Sequence, residues 1–199
     1  MHWILPSLNS TFLALVPKEE NSSTLDKHRP IALCNIIYKL ISKVIMNRLK
    51  PLPPLLISQE QTRYVEGRQI LDGIILSHEV IHSLKLLKKP GMLLKLDLSK
   101  AFDKSSWNYI KQMLLAFGFN APWTWWVMSL LSSPSFSILV NGSPSLPFWS
   151  YRGICQGDPL SPFLFVLMAE GLSRLIHHAT SLVSIKGISH HDNSPITHQ

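Results

Sequence analysis

Three groups of residues have the types and spacing to do chemistry. The first is His78-Glu79-Val80-Ile81-His82, an H-E-x-x-H pattern. On a helix it puts two imidazoles on one face for zinc, with Glu79 as the general base of a metalloprotease. No third ligand follows at a familiar spacing, because His82 runs straight into Ser83-Leu84-Lys85-Leu86-Leu87. Both histidines also share a helical stripe with Leu71, Ile74, Ile75 and Ile81, so partly buried packing residues are the favoured reading.

The second group centres on Asp97, at the end of Leu94-Lys95-Leu96-Asp97-Leu98. A carboxylate closing an otherwise apolar strand is costly to bury unless it is paired or meets a cation. Its hard oxygens suit Mg²⁺ completed by waters and substrate phosphates. The alternative is an exposed strand-end aspartate that caps the helix near Ser105. The third group is Arg152-Gly153-Ile154-Cys155-Gln156-Gly157-Asp158-Pro159-Leu160-Ser161-Pro162, a glycine-rich turn feeding a helix. Backbone N–H groups at such a turn can cradle a phosphate or nucleotide, or the segment is an ordinary loop with a cap.

The elements that must position these groups follow from periodicity. Residues 1–30 read as irregular. Ile36, Ile37, Leu40, Ile41, Val44, Ile45 and Leu49 recur at helical spacing, with Lys39, Lys43, Asn47 and Lys50 opposite, Asn35 as cap and Pro51 as stop. A second helix spans Gln69 to Leu87. Met92 to Leu98 alternates as a strand does. Trp107, Ile110, Leu114 and Phe117 form the stripe of a third helix, and Trp123 to Leu131 predicts a fourth. Phe136, Ile138 and Val140 lead into Asn141-Gly142, a strong hairpin signal, with a second extended run towards Arg152. Ser161-Pro162 predicts the cap and first turn of a last helix from Phe163 to about His177. The mixture without strict alternation is α+β.

Composition narrows the class. Of 199 residues, 46% are hydrophobic and 16% charged, which suits a packed core and excludes a disordered tail. No run approaches the roughly 18 apolar residues that a bilayer span needs. Two cysteines, Cys34 and Cys155, provide neither a disulfide framework nor a metal spacing. The expectation is a soluble, intracellular chain with no membrane partner. The net charge of +7 points to an acidic partner, most simply nucleic acid. Most of the excess lies between Lys27 and Arg68, in Lys27, Arg29, Lys39, Lys43, Arg48, Lys50, Arg63 and Arg68.

Taken in order, several segments resemble the reverse transcriptases of LINE-type non-LTR retrotransposons, most closely the plant ones. They are Leu13-Ala14-Leu15-Val16-Pro17-Lys18, His28-Arg29-Pro30-Ile31-Ala32-Leu33-Cys34-Asn35 and Ile41-Ser42-Lys43-Val44-Ile45-Met46-Asn47-Arg48-Leu49-Lys50. They continue with Gly67-Arg68-Gln69, Lys95-Leu96-Asp97-Leu98-Ser99-Lys100-Ala101-Phe102-Asp103 and Gln156-Gly157-Asp158-Pro159-Leu160-Ser161-Pro162. The resemblance covers residues 9 to 188, and within it the H-E-x-x-H match is a coincidence.

The resemblance implies a right-hand polymerase, with fingers over residues 1–90, a partial palm over 91–188 and a divergent tail at 189–199. It implies RNA-directed DNA polymerisation by two-Mg²⁺ nucleotidyl transfer, with a template-primer and a dNTP as partners. Asp97 corresponds to the first metal-binding aspartate, and Phe102 to the aromatic beneath the incoming sugar. Gln156 and Gly157 correspond to the loop beside the dNTP and template, and Arg68, Lys18 and Arg29 to fingers residues near phosphates. The family's second catalytic segment carries two adjacent aspartates, and no Asp-Asp pair occurs in these 199 residues. Lys104-Ser105-Ser106-Trp107 and Arg63 also depart from the family pattern. The expectation is therefore a truncated domain that is inactive as it stands. A non-catalytic nucleic-acid-binding remnant is the alternative.

Overall fold

A computed structural model describes residues 9–21 and 23–185. The tail at 189–199 and residues 1–8 of the N-terminal segment lie outside the described residues. The chain divides into two compact units: Met1–Lys50 with Lys100–Phe165, and Pro51–Ser99 with Val166–Gln199.

The first unit is built on a five-stranded mixed sheet. The segment read as irregular contains two of its strands, β1 (Ser10–Pro17) and β2 (His28–Leu33), joined through a short 3-10 turn at Leu25–Lys27. They pair antiparallel from Phe12↔Leu33 to Pro17↔His28. Turn-forming residues between them and Pro30 within β2 mask the strand signal in the sequence. Pro30 is tolerated because β2 is an edge strand, where a missing N–H breaks no ladder. On its other side β1 pairs in parallel with β3 (Ser135–Val140), from Ser10↔Ser135 to Leu13↔Ile138. The hairpin forms at Asn141-Gly142, where both residues take positive φ, 49° and 80°. It leads into two short strands, β4 (Ser143–Pro144) and β5 (Phe148–Trp149), which each pair antiparallel with β3.

Helices accompany the sheet in this unit. In α1 (Ile36–Leu49) the Asn35 side chain accepts from Ile37 N at 2.9 Å, the cap read from the sequence. Its buried face is Tyr38, Ser42, Ile45 and Leu49, not the whole apolar stripe: Ile36, Ile37, Leu40 and Val44 are exposed. The pattern marked the helix correctly, but two apolar stripes run along it and periodicity alone does not say which one meets the core. After the short α4 (Ala101–Lys104), α5 (Trp107–Ala116) buries Ile110 and Leu114, and its Ser106 cap accepts from Tyr109 N at 3.4 Å. α6 (Ala121–Ser132) is capped by Asn120, which accepts from Trp123 N at 3.0 Å. The Tyr38 hydroxyl donates to Leu130 O of α6 at 3.4 Å, so α1 and α6 meet in the core. α7 (Ser161–Ser181) begins in this unit, with Phe163 and Leu164 fully buried.

The second unit contains α2 (Pro53–Leu56), α3 (Ile70–Leu86) and the later part of α7. Pro53, Ile57, Val65, Val166 and Leu167 are among its buried apolar side chains. The buried Glu170 carboxylate organises them. Its Oε2 accepts from Ser58 N (3.0 Å) and Ser58 Oγ (2.8 Å), and its Oε1 accepts from Arg174 Nε at 3.1 Å. In contrast, α3 buries no side chain, and Leu71, Ile74 and Ile75 are exposed. The expected strand at Met92–Leu98 is an exposed segment that pairs with no strand among the described residues. Alternation marks residues able to form a strand, whereas the strand itself needs a neighbour to complete its hydrogen bonds.

Leu164 is 0% exposed and Leu146 is 88% exposed. Leu164→Ala is expected to lower the free energy of urea unfolding by about 2–5 kcal/mol through lost burial and a residual cavity. Leu146→Ala should change it by no more than about 0.5 kcal/mol.

Candidate active site

The first unit carries a cleft of about 250 Å³ between the β2–β1–β3 surface and the glycine-rich loop. Its walls are largely apolar, from Leu13, Pro30, Ala32, Phe136 and Ile154, with Asp103, Arg152 and Gln156 as polar groups. The loop is held at both ends by backbone contacts. Gly153 N donates to Ser105 O at 2.8 Å, Ile154 N donates to Phe102 O at 2.9 Å, and the Trp107 indole donates to Gly153 O at 2.7 Å. At the other end Gln156 O accepts from Ala32 N of β2 at 2.9 Å.

These contacts explain the two glycines. Gly153 has φ +92°, and a Cβ there would lie 2.9 Å from Asp103 O. Gly157 has φ +104°, and its Cβ would lie 3.2 Å from Ala32 O. In each case a side chain meets both an unfavourable φ and neighbouring backbone.

Asp158 closes the loop into α7. Its Oδ2 accepts from Leu160 N (3.2 Å) and Ser161 Oγ (3.4 Å), an Asx-type turn in which Asp158 does the capping expected of Ser161. The residue is 4% exposed. Burial pushes its carboxyl above the ordinary range, against the opposing pull of the Ser42 hydroxyl and of Leu160 and Ser161. Ser42 Oγ and Asp158 Oδ1 do not complete a well-formed hydrogen bond with each other or with any other group. The sequence predicts the cap at Ser161; the Asp158-Pro159 pair just ahead of it is the signal that locates this turn.

Of the expected site residues in this unit, Gln156 alone lines the cleft. Phe102 is half-buried and stacks on Phe165, with centroids 5.0 Å apart and planes at 19°. Gln156 lines the cleft, and Gly157 sits beside β2. Arg29 is exposed on β2, and exposed Lys18, just beyond β1, donates to Asp26 O at 3.3 Å. Asp26 also pairs with Lys100, which holds the Asp26 carboxyl below its usual range. Both cysteines are free thiols: Cys34 is buried just after β2, and Cys155 lines the cleft.

The remaining candidates belong to the second unit. Arg68 donates to Ser58 O, to Gln61 O at 2.7 Å and to Ile57 O at 3.0 Å, so its guanidinium ties the loop after α2 together. Asp97 is an exposed carboxylate on the unpaired segment. His78 and His82 are exposed on α3, not partly buried as the packing reading expected. No three His, Cys, Asp or Glu side chains come together as metal ligands among the described residues. The described carboxylates therefore do not form the multi-ligand site that a divalent ion requires.

A strand-bordered cleft closed by a Gln-Gly loop, with the family's motifs in order along the chain, defines a class. Residues 16–193 match the family described as Reverse transcriptase (RNA-dependent DNA polymerase), and the chain belongs to it. Reverse transcriptases are in general metal-dependent nucleotidyltransferases. A protein of transposon TX1 from Xenopus laevis, described as an uncharacterized 149 kDa protein, is 30% identical over 82% of the chain. Two retrovirus-related Pol polyproteins of R2 retrotransposable elements are similar as well. That of Popillia japonica is 28% identical over 79% of the chain, and that of Drosophila melanogaster 27% over 81%. These relatives agree with the expected kinship to non-LTR retrotransposons. The chain spans only 12%, 22% and 15% of their respective lengths. No helix among the described residues is long and apolar enough to cross a membrane.

Two outcomes follow from the loop. Gly157→Ala is expected to cost about 1–3 kcal/mol of stability in urea unfolding, because φ +104° and the Ala32 carbonyl both oppose a Cβ. Asp158 has a native pKa raised above its unfolded one, so its contribution is most favourable below the unfolded value. That contribution is lost as pH rises through the native value. Stability measured across acidic pH should show this fall, and Asp158→Asn should flatten it.

Proposed function

We propose that this chain is the fingers and palm portion of a non-LTR retrotransposon reverse transcriptase, with fingers over residues 1–90 and palm over 91–188. The observation that carries the reading is the Gln156-Gly157 loop beside the cleft, in a chain that matches the reverse transcriptase family over residues 16–193. In this reading the template-primer and the dNTP are the ligands. Gln156 and Gly157 lie beside the nucleotide and template, and Phe102 lies beneath the sugar. Lys18 and Arg29 meet phosphates. Arg68 orders the loop after α2 through three carbonyls. Asp97 is the first catalytic aspartate and one ligand of a Mg²⁺ set that the described residues leave incomplete.

Because two adjacent aspartates are absent from the 199 residues, the chain alone is expected to give no primer extension with Mg²⁺. Incorporation that Asp97→Ala abolishes would overturn that expectation. Nucleotide handling is tested separately. Binding of a fluorescent template-primer should tighten several-fold with the matched dNTP and not with a mismatched one, and Gln156→Ala should remove the difference.

Exposed Lys43 and Arg48 on α1 favour one second reading, a non-catalytic nucleic-acid-binding remnant. It predicts template binding that is indifferent to which dNTP is present. In both readings log affinity falls linearly with log salt, and neutralising Arg48 makes the slope shallower by about 1. No binding at low salt would overturn both.

A further inference from the structure

A second concavity lies in the second unit, at the C-terminal end of α3. It is a groove of about 690 Å³ that shares no residue with the cleft of the first unit. Its apolar lining includes Ile81, Leu84 and Leu93, and its charged residues are all cations, Lys85, Lys88 and Lys89. None of these three lysines forms an ion pair among the described residues.

Lys88 also holds a backbone conformation that costs stability. Lys88 N donates to Lys85 O at 3.3 Å and Lys89 N donates to Leu84 O at 3.1 Å, the paired bonds of a Schellman cap. They leave Lys88 at φ +50°. Glycine is the ordinary residue there, because a Cβ disfavours the left-handed region. A cation near a helix C-terminus complements the dipole, but Lys85 in the last turn already does that. Capping alone thus accounts for a glycine at this position and not for a lysine.

We infer that this groove docks an acidic, leucine-rich segment of a partner protein, with aliphatic side chains against Ile81, Leu84 and Leu93 and carboxylates against Lys85, Lys88 and Lys89. Charge complementarity selects the occupant. Three cations with no carboxylate among them favour an anionic ligand. The lining has no aromatic ring on which a base could stack, and its aliphatic groups suit the apolar anchors of a peptide. A second copy of this chain, at +7, brings the wrong sign of charge.

The test measures fluorescence anisotropy with the full 199-residue chain and a fluorescein-labelled peptide that has leucines at helical spacing and glutamates between them. This peptide should bind at least about tenfold more tightly than the same peptide with every glutamate replaced by lysine. Lys88→Gly should weaken binding about threefold while leaving the midpoint of urea unfolding unchanged or higher. Leu93→Ser, at a position already 67% exposed, should weaken it as well. Lys111→Gln, which removes an exposed cation from α5, should not. Equal binding of the two peptides, no effect of Lys88→Gly, or a lower unfolding midpoint in that variant would each overturn the inference. So would a loss of oligothymidine or phosphatidylserine-vesicle binding in Lys88→Gly as large as the loss of peptide binding, because the groove would then serve nucleic acid or lipid.

Discussion

The first unit depends on the two-sided hydrogen bonding of β1. One side of this strand pairs with its sequence neighbour β2, and the other with β3, more than a hundred residues further along the chain. The parallel β1–β3 ladder cannot be closed by a tight turn, so α1, α4, α5, α6 and the whole second-unit segment between Pro51 and Ser99 intervene. Once that ladder forms, β2 becomes an outer edge and β3 an inner strand. The cleft is then bordered by Leu13, Ala32 and Phe136 from three strands that no local signal would group.

The loop over the cleft is shaped by backbone more than by side chains. Its hydrogen bonds to Ser105, Phe102 and Ala32 run through main-chain atoms, and its glycines stand where main chain approaches main chain. The polar side chain that completes it, Asp158, is buried to turn the chain into α7, and its raised pKa is the electrostatic cost of that turn. In the second unit the same economy recurs: the Arg68 guanidinium and Glu170 carboxylate meet backbone and hydroxyl partners, leaving few of their polar atoms for solvent.

Elements with strong local signals were legible. The Asn35 cap, the α5 stripe, the Asn141-Gly142 turn and the start of α7 all rest on residues within a few positions of one another. β1 and β2 were not legible, because Pro30 and the polar stretch between them argue against strands until edge placement removes the objection. Met92–Leu98 failed in the opposite way, carrying the alternation without the partner. For α1 and α3 the helix was legible but its buried side was not, since burial is decided by what arrives from elsewhere. The candidate site followed the same rule. The motifs pointed to the Gln156-Gly157 loop, whereas the Ala32–Gln156 bond joins segments that only the fold brings together.

That last bond has a bearing on solubility. An edge strand with free N–H groups invites a second chain to add itself by strand pairing, and β2 is such an edge. Pro30 removes one donor, and the Gln156 carbonyl occupies the one at Ala32. The loop beside the cleft is thus also a guard rail against self-association, and any motion that swings it outward uncovers a sticky seam.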